Sequence, residues 1–432
     1  MVTSFQILRA AFATLAWAGA AAASAQVPLT LDQAQQLAAG RSQQMVAQAA
    51  LSAAAREQAV AAGQWPDPVL KIGLNNLPVT GSDRYTVTRD FMTMRSVGVA
   101  QEITRSEKRR TRSARFDRAA EAAEAGRLLA LANLRRDTAQ AWLERYYQER
   151  IREVLQTQRT EAVLQIDAAD AAYRGGRGMQ ADVFAARSAA ALIDERILQT
   201  EGQIEIATTK LSRWVGEGAG QVLGAPPDLA AMPLAETTLA DQLVHHPRLA
   251  AAAKQEEVAR AEADIAQSSR QSDWNVELMF SQRGPAFSNM VSVNFSIPLQ
   301  FDQKNRQDRE VLARLALVEQ LRAEREEATR EHLAEARTWL QAWHSNRGRM
   351  AHYERTLVPL AAERTRAALA SYRGGSGPLG TVLEARRMEI DTRLDRLRLE
   401  METASLWAQL NFLLVPDHGS TVRRDSAAKT EQ

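Results

Sequence analysis

The stretch MVSVNFSI, residues 290–297, alternates apolar and polar side chains over its whole length. Successive side chains of a β-strand point to opposite faces, so this alternation predicts a strand with one apolar face and one polar face. A less regular alternation runs from Trp274 to Phe280, and Arg283-Gly284-Pro285 lies between the two runs. Because Gly-Pro pairs are typical of turns, the two runs together predict a β-hairpin.

A second pair of alternating runs occurs earlier in the chain. Leu70, Ile72 and Leu74 alternate with more polar or small residues, and the same holds around Val97 and Val99. Gly81-Ser82-Asp83 lies in the connection between these two runs. Each of the four runs has ~8–11 residues, the length that a tilted strand needs to cross a bilayer.

The segments between these hairpins predict unusually long helices. No proline occurs between Pro78 and Pro226, and residues 104–172 are rich in strong helix formers. Such a helix would be ~100 Å long and cannot wrap a compact core, so we expect lengthwise packing, as in a coiled coil or a helical tube. A second segment of this kind covers residues 305–372, where Pro359 should introduce a kink. Shorter helices are predicted over residues 31–62, 180–213, 239–268 and 379–413.

The two halves of the chain repeat one another. Tyr-Arg-Gly-Gly-Arg-Gly at residues 173–178 recurs as Tyr-Arg-Gly-Gly-Ser-Gly at residues 372–377, and the strand around Val97 recurs around Val293. Each half therefore has the plan helix, strand hairpin, long helix, glycine turn, helix. We expect a first structural repeat over residues 26–225, a linker over 226–238, a second repeat over 239–416 and a disordered polar tail over 417–432.

The amino terminus predicts export. Arg9 is followed by an apolar run that is too short to cross a membrane, and Ala23-Ser24-Ala25 offers small residues to a signal peptidase. We expect residues 1–25 to be a signal peptide. No later stretch of 18 apolar residues is found, so a membrane span would have to be built from strands. The chain has no cysteine, which excludes disulfides and the lipid anchor that a signal-peptide cysteine would carry.

Composition argues against several function classes. The formal net charge is +2 and charged residues make up 25% of the chain, so no nucleic-acid partner is indicated. The sequence contains no nucleophile elbow, no phosphate-binding loop and no HExxH zinc motif. We therefore expect no enzyme activity, no catalytic residues, no metal centre and no cofactor.

Two hairpins cannot form a membrane barrel alone. Backbone polar groups in lipid must all be paired, and the smallest bacterial single-chain barrels have eight strands. Each subunit would then supply four strands, and a homotrimer would give a 12-stranded barrel. The predicted fold class is mainly α with a small β part: long coiled-coil hairpins forming a periplasmic α-barrel, and four transmembrane β-strands per subunit.

This plan resembles the TolC family of outer-membrane efflux proteins. The resemblance rests on the duplication, on Tyr173-x-x-Gly176 followed by Asp182-Val183-Phe184, and on Ile297-Pro298-Leu299 leading into Lys304-x-Arg306. It implies an exit duct of a tripartite efflux system, located in the outer membrane with a helical stalk in the periplasm. It also implies a homotrimer in contact with outer-membrane lipid, a periplasmic adaptor and an inner-membrane pump of the RND type.

The resemblance further implies a periplasmic gate and a docking surface. The gate residues would be Asp182, Glu384 and Tyr372, and three copies of Glu384 would form an anionic ring that favours cations. The alternative is an ordinary ion pair of Glu384 with Arg387 on an exposed helix face. Thr381 and Gly377 depart from the family pattern of gate residues. The adaptor-docking hairpin tips would contain the glycines of the two turns: Gly175, Gly176, Gly178, Gly374, Gly375 and Gly377.

The cargo is suggested by a loop. Asn76-Leu77-Pro78 and Arg89-Asp90-x-Met92-Thr93-Met94 are similar to the heavy-metal branch of the family, the CzcC/CusC-like members. Thioethers suit Cu(I), but the stronger interpretation is that Met92 and Met94, which precede a strand, are ordinary apolar residues of the barrel or loop. Copper or silver, or cobalt, zinc or cadmium, would then be exported. The alternatives are a multidrug or solvent duct, a type I secretion duct, or, in another class, a periplasmic adaptor or structural coiled-coil protein.

Overall fold

The computed structural model describes residues 28–232, 238–243 and 246–413. The predicted signal peptide, the polar tail and part of the predicted linker lie outside the described residues.

Both halves of the chain contain the same order of elements, except that the long helix of the second half is divided in two. The first contains α1 (Leu31–Arg41), α2 (Gln43–Ala62), β1 (Val69–Asn75), β2 (Met94–Ile103), α3 (Ser106–Arg174) and α4 (Gln180–Val215). The second contains α5 (Leu239–Leu243), α6 (Pro247–Ser268), β3 (Trp274–Gln282), β4 (Met290–Ser296), α7 (Gln307–His352), α8 (Val358–Arg373) and α9 (Leu379–Asn411). The mainly helical fold with a small β part is confirmed.

All four predicted strands form, and they make one antiparallel sheet in the order β1-β2-β3-β4. The central pair, β2 and β3, joins the two repeats. Residues that face each other across the four strands form rows, and these rows alternate between apolar and more polar or small side chains. One row contains Ile72, Val97, Phe280 and Val291, and the next contains Lys71, Gly98, Met279 and Ser292. The side chains of the first row are exposed, Ile72 to 78%, so the sheet presents an apolar face outward. Within the described chain, β1 and β4 each have one unpaired edge.

Two predicted helices are each divided in two. The helix predicted over residues 31–62 breaks at Ser42, whose backbone is extended (φ −72°, ψ 102°) and whose hydroxyl accepts from the backbone N–H of Met45 at 3.3 Å. Capping of this kind satisfies amide groups that a helix start leaves unpaired. The helix predicted over residues 239–268 is wrong in the same way, because α6 begins anew at Pro247, a residue favoured in the first helical turn.

The long helices are confirmed, with one difference in the second. Helix α3 has 69 residues. The segment after β4 begins with a 3₁₀ turn over Gln303–Asn305 and is interrupted at Tyr353–Leu357, which forms a π-helical turn just before Pro359. Proline has no N–H and crowds the carbonyl four residues earlier, so the helix widens there. The predicted interruption at Pro359 therefore takes the form of a π-helical turn.

Among the described residues, we find no helix that combines the length and apolar character needed to span a membrane.

Among the described residues, the largest core cluster joins the middle of the long helices to the segment just before α1. Trp142 of α3 is fully buried, and its indole N–H donates to the carbonyl of Leu29 at 3.0 Å. Its ring stacks on Tyr146 at a centroid distance of 5.5 Å. In the predicted linker, the carbonyl of Ala231 accepts from the indole of Trp407 at 3.1 Å. The segment before α1 and the predicted linker are thus both hydrogen-bonded to tryptophans of this core.

A buried histidine pair lies at the start of α6. His246 caps this helix, as its Nδ1 accepts from the backbone N–H of Arg248 at 3.2 Å, and its ring stacks on His332 of α7 at 5.0 Å. Burial lowers the pKa of His246 to about 4, and the neighbouring His332, Arg248 and Arg136 lower it further. The His246 imidazole is therefore neutral at pH 7 and acts as a helix cap.

The lowered pKa predicts acid sensitivity. Histidine in the unfolded chain has a pKa near 6.5, whereas His246 in the folded chain has a pKa of about 4. Between these pH values the unfolded state binds a proton and the folded state does not. The contribution of the neutral imidazole to the free energy of unfolding is therefore complete above pH 6.5 and is lost as the pH falls to about 4. We expect a contribution of ~1–2 kcal/mol. His246→Asn keeps a capping side chain that does not titrate. Thermal unfolding followed by circular dichroism should show a smaller fall between pH 7 and pH 5 for this variant than for the parent. An equal fall in both proteins would contradict the assignment.

Candidate functional site: the paired glycine turns

Two glycine turns close the α3–α4 and α8–α9 hairpins with the same backbone hydrogen bonds. Gly176 donates to the carbonyl of Tyr173 at 3.0 Å, and Gly375 donates to that of Tyr372 at 3.0 Å. The two glycines have φ values of +67° and +73°. A positive φ is costly for residues with a Cβ, so glycine ends each helix at low cost. The sequence repeat is thus a repeat of helix-capping geometry.

The third glycine of each turn permits a close approach of the chain. A Cβ on Gly178 would lie 3.2 Å from the Cβ of Ala172, and one on Gly377 would lie 3.2 Å from the Cβ of Ser371. Both distances are below ordinary van der Waals contact. Gly377 therefore has a local steric role.

The two hairpins pack against each other near the turns. A small buried cluster combines Ala169 of α3, Val183 and Ala186 of α4, and Leu379 and Val382 of α9. Arg386 of α9 forms an ion pair with Glu161 of α3, and burial lowers the pKa of this guanidinium. Arg196 of α4 donates to Asp391 of α9 at 2.7 Å. These charged links were not predicted from the sequence.

Asp182, a predicted gate residue, caps a helix. Its Oδ2 accepts from the backbone N–H of Met179 at 3.0 Å, at the start of α4. A carboxylate in the first helical turn also interacts favourably with the helix dipole. Any role of Asp182 in a gate is additional to this contact.

Glu384 and Tyr372, the other predicted gate residues, lie on facing helices of the α8–α9 hairpin. The Glu384 side chain is 68% exposed, and its carboxylate lies 3.4 Å from the guanidinium of Arg364 on α8. The ion pair with Arg387 considered from the sequence is wrong, since Arg387 is directed to Asp391 at 3.9 Å. The Tyr372 ring packs on the small buried cluster between the hairpins.

The methionines considered as metal ligands lie beside the sheet. Met92 is exposed in the β1–β2 loop, where its backbone N–H donates to Asp90 Oδ1 at 2.8 Å. Met94 is the first residue of β2 and pairs with Asn75. In the part of the chain that the structure describes, no group of three or more His, Asp or Glu side chains could hold a metal ion.

The turn geometry predicts a difference between two glycine substitutions. Gly375→Ala places a Cβ at φ +73° and should destabilise the protein by ~1 kcal/mol. Gly202→Ala is the matched control, because Gly202 lies in the interior of α4 with open space around its Cβ position. That substitution should stabilise by ~0.5–1 kcal/mol. Melting temperatures should therefore shift in opposite directions, and limited proteolysis should cut Gly375→Ala faster at the turn. Shifts of equal sign and size would contradict the capping argument.

The second repeat matches a known family. Residues 238–414 match the family model "Outer membrane efflux protein". No individually curated protein matches the chain significantly.

Solved outer-membrane channels share the fold over most of the chain. The outer membrane protein VceC of Vibrio cholerae is 17% identical, covers 89% of this chain and 95% of its own, and gives a TM-score of 0.74. CusC is 14% identical, with coverages of 90% and 92% and a TM-score of 0.72. The MtrE outer membrane channel of Neisseria gonorrhoeae is 15% identical, with coverages of 89% and 88% and a TM-score of 0.71.

The family model on the second repeat and the fold of the whole described chain agree. Residues 238–414 thus match the outer membrane efflux protein family, in agreement with the resemblance seen in the sequence, and the described chain shares the fold of the solved channels. The fold is that of outer-membrane efflux channels, in which long helices and a small strand region occur together.

Proposed function

We propose that the chain forms a homotrimeric outer-membrane channel that serves as the passive exit duct of a tripartite efflux system. The observation that carries this proposal is the four-stranded sheet with an exposed apolar face and two open edges. An exposed apolar row of this size is costly in water and favourable in lipid.

The open edges require neighbours in the membrane. Each backbone group left unpaired in lipid costs several kcal/mol, so the free edges of β1 and β4 must pair with other strands. Three copies of the sheet give twelve strands, which is an even number and wide enough for a lumen. The small and polar rows, such as that of Lys71, Gly98 and Ser292, would line this lumen.

The helices support the duct role. Helix α3 continues directly from β2, so a closed sheet would bring the long helices together as a tube on one side of the membrane. The glycine turns at 175–178 and 374–377 lie at the far end of this stalk, away from the strands. There they would dock a periplasmic adaptor, which in turn contacts an inner-membrane pump of the RND type.

Glu384 would select cations at that end of the tube. Its carboxylate is largely exposed, and Arg364 contacts it only at 3.4 Å. Three symmetry-related carboxylates around a narrow pore would raise the local concentration of cations. Asp182 and Tyr372 would stabilise the hairpins that hold this ring, the first as a helix cap and the second by packing.

The gate proposal predicts a change in ion selectivity. Glu384→Gln removes the charge and keeps the shape, so the cation preference of single channels in planar bilayers should fall. Glu363→Gln is the matched control, since Glu363 is also exposed on this hairpin but pairs with Arg366 on its own helix. Selectivity and conductance unchanged by Glu384→Gln would remove Glu384 from the gate.

We further propose heavy-metal cations as cargo. The support is the resemblance of the residues around Asn76-Leu77-Pro78 and Met92-Thr93-Met94 to the heavy-metal branch of the family. Met92 is exposed, so its thioether is accessible to soft ions such as Cu(I).

The cargo proposal is tested by a deletion strain. Loss of the gene should lower the tolerated concentration of copper or silver, or of cobalt, zinc or cadmium, while tolerance of several drugs and solvents stays at the parent level. Complementation with the intact gene should restore tolerance. Sensitivity to drugs alone would contradict the metal cargo and indicate a multidrug duct.

A further inference from the structure

A largely buried ion pair holds the two repeats together at one end of the sheet. Lys108, in the first turn of α3, donates to Asp273 Oδ2 at 2.7 Å, and the backbone N–H of Arg105 donates to Asp273 Oδ1 at 3.0 Å. The side chains of Lys108 and Asp273 are 8% and 15% exposed. Burial raises the pKa of Asp273, but the bonds from Lys108 and Arg105 outweigh burial and lower it overall. The pair fixes the start of α3, which follows β2 of the first repeat, to the residue that precedes β3 of the second repeat.

The sheet register identifies the counterparts of these two residues. Val69 pairs with Ala100 in the first hairpin, as Asn275 pairs with Ser296 in the second. Asp67 precedes Val69 by two residues, just as Asp273 precedes Asn275. Counting from the other strand, Lys304 follows Ser296 by eight residues, just as Lys108 follows Ala100.

The counterpart pair cannot meet within one chain. Asp67 precedes β1 and Lys304 follows β4, so they lie at opposite edges of the sheet. Both side chains are exposed, and neither forms an ion pair within the described residues. Asp67 thus occupies the position of Asp273, and Lys304 occupies the position of Lys108, but neither has a partner among the described residues. The two charges would complement each other across a contact between two copies of the chain.

From this symmetry we propose that β4 of one subunit pairs with β1 of the next in the register that joins β2 to β3, with Lys304 bound to Asp67 of the partner subunit. The inference rests on the oligomeric channel proposed above and specifies its interface. Since Ala100 faces Glu277 within the chain, Ser296 would face Lys71 of the partner subunit. Ser292 would then face Asn75 of the partner subunit.

The side chains along both edges agree with this register. Phe295, which is 66% exposed, would lie beside Ile72 of the partner subunit, and Val293 would lie beside Leu74 of the partner subunit. The apolar rows would then continue without interruption around the barrel. A shift by one residue would place these apolar side chains on the lumen side.

The helices beside the strands supply a second observation. Within the chain, α3 and α6 are joined by exposed ion pairs that include Glu121–Lys254 and Arg118–Glu257. By the same symmetry, Leu317 of α7 stands where Glu121 does, and Leu51 of α2 stands where Glu257 does. Both leucines are exposed, as are further apolar residues on the same two helices: Val46, Val60, Leu312 and Leu315. Contact between α7 and α2 of the partner subunit would bury them.

Disulfide trapping tests the register directly, because the natural chain has no cysteine. Residues directly opposite in a sheet are ~4.5–5.5 Å apart, which suits a disulfide, whereas diagonal neighbours are ~7–8 Å apart. Ser292→Cys with Asn75→Cys should yield covalent dimers and trimers in outer membranes without reductant. Ser292→Cys with Gly73→Cys is the diagonal control and should yield few. Ser96→Cys with Ser281→Cys, which face each other within the chain, should lose free thiols and stay monomeric on denaturing gels.

Charge exchange tests the ion pair. Lys304→Asp and Asp67→Lys should each abolish most of the trimer that survives detergent at a temperature where the parent is intact. The double variant should restore it, because each interface then carries the pair in reverse. A double variant no more resistant than the single ones would overturn the pairing of Lys304 with Asp67.

The outcomes separate this inference from the channel proposal. The register would be overturned, and the channel proposal left intact, by the following result. Amine cross-linking gives trimers, the diagonal control forms disulfides in high yield, and the Ser292–Asn75 pair forms none. A parent protein that gives no oligomer by either method would overturn both.

Discussion

The pairing of backbone groups at the edges of the sheet is the constraint on which the rest of the molecule depends. Four antiparallel strands expose an apolar face outward and leave β1 and β4 each with an unpaired edge. Water can satisfy such edges, but lipid cannot. In the proposed membrane location, a chain with this sheet would be incomplete until further copies pair with it, and the proposed duct would result from that closure.

The helices transmit this geometry to the other end of the molecule. Lys108 and Asp273 fix α3 to the sheet where the two repeats meet, and Trp142 fixes the middle of α3 to the segment just before α1. Near the turns, the ion pair of Arg386 with Glu161 holds the two hairpins together. The gate and docking surfaces proposed here thus lie on hairpins whose position is set by contacts along the whole stalk.

Much of the fold follows from local patterns. The alternation around Val293 predicts a strand, and the proline-free run through α3 predicts a long helix. Both predictions succeed because these patterns depend only on residues that are close together in the sequence. The break at Ser42 was missed since a single serine in an alanine-rich helix gives little signal. The predicted partner of Glu384, Arg387, was wrong because Arg364 contacts Glu384 from the other helix of the hairpin. Sequence spacing reveals only partners on the same helix. Asp182 was expected in the gate, yet its resolved contact is a helix cap.

The number of chains in the detergent-extracted assembly tests the central claim most directly. Native mass spectrometry measures that number without assumptions about shape, and the mass of one subunit is the 47.7 kDa of the full sequence less the predicted signal peptide, residues 1–25. Closure of the open edges between subunits predicts a protein mass of three chains in the extracted particle. A stable particle of one chain, soluble without detergent, would contradict the account.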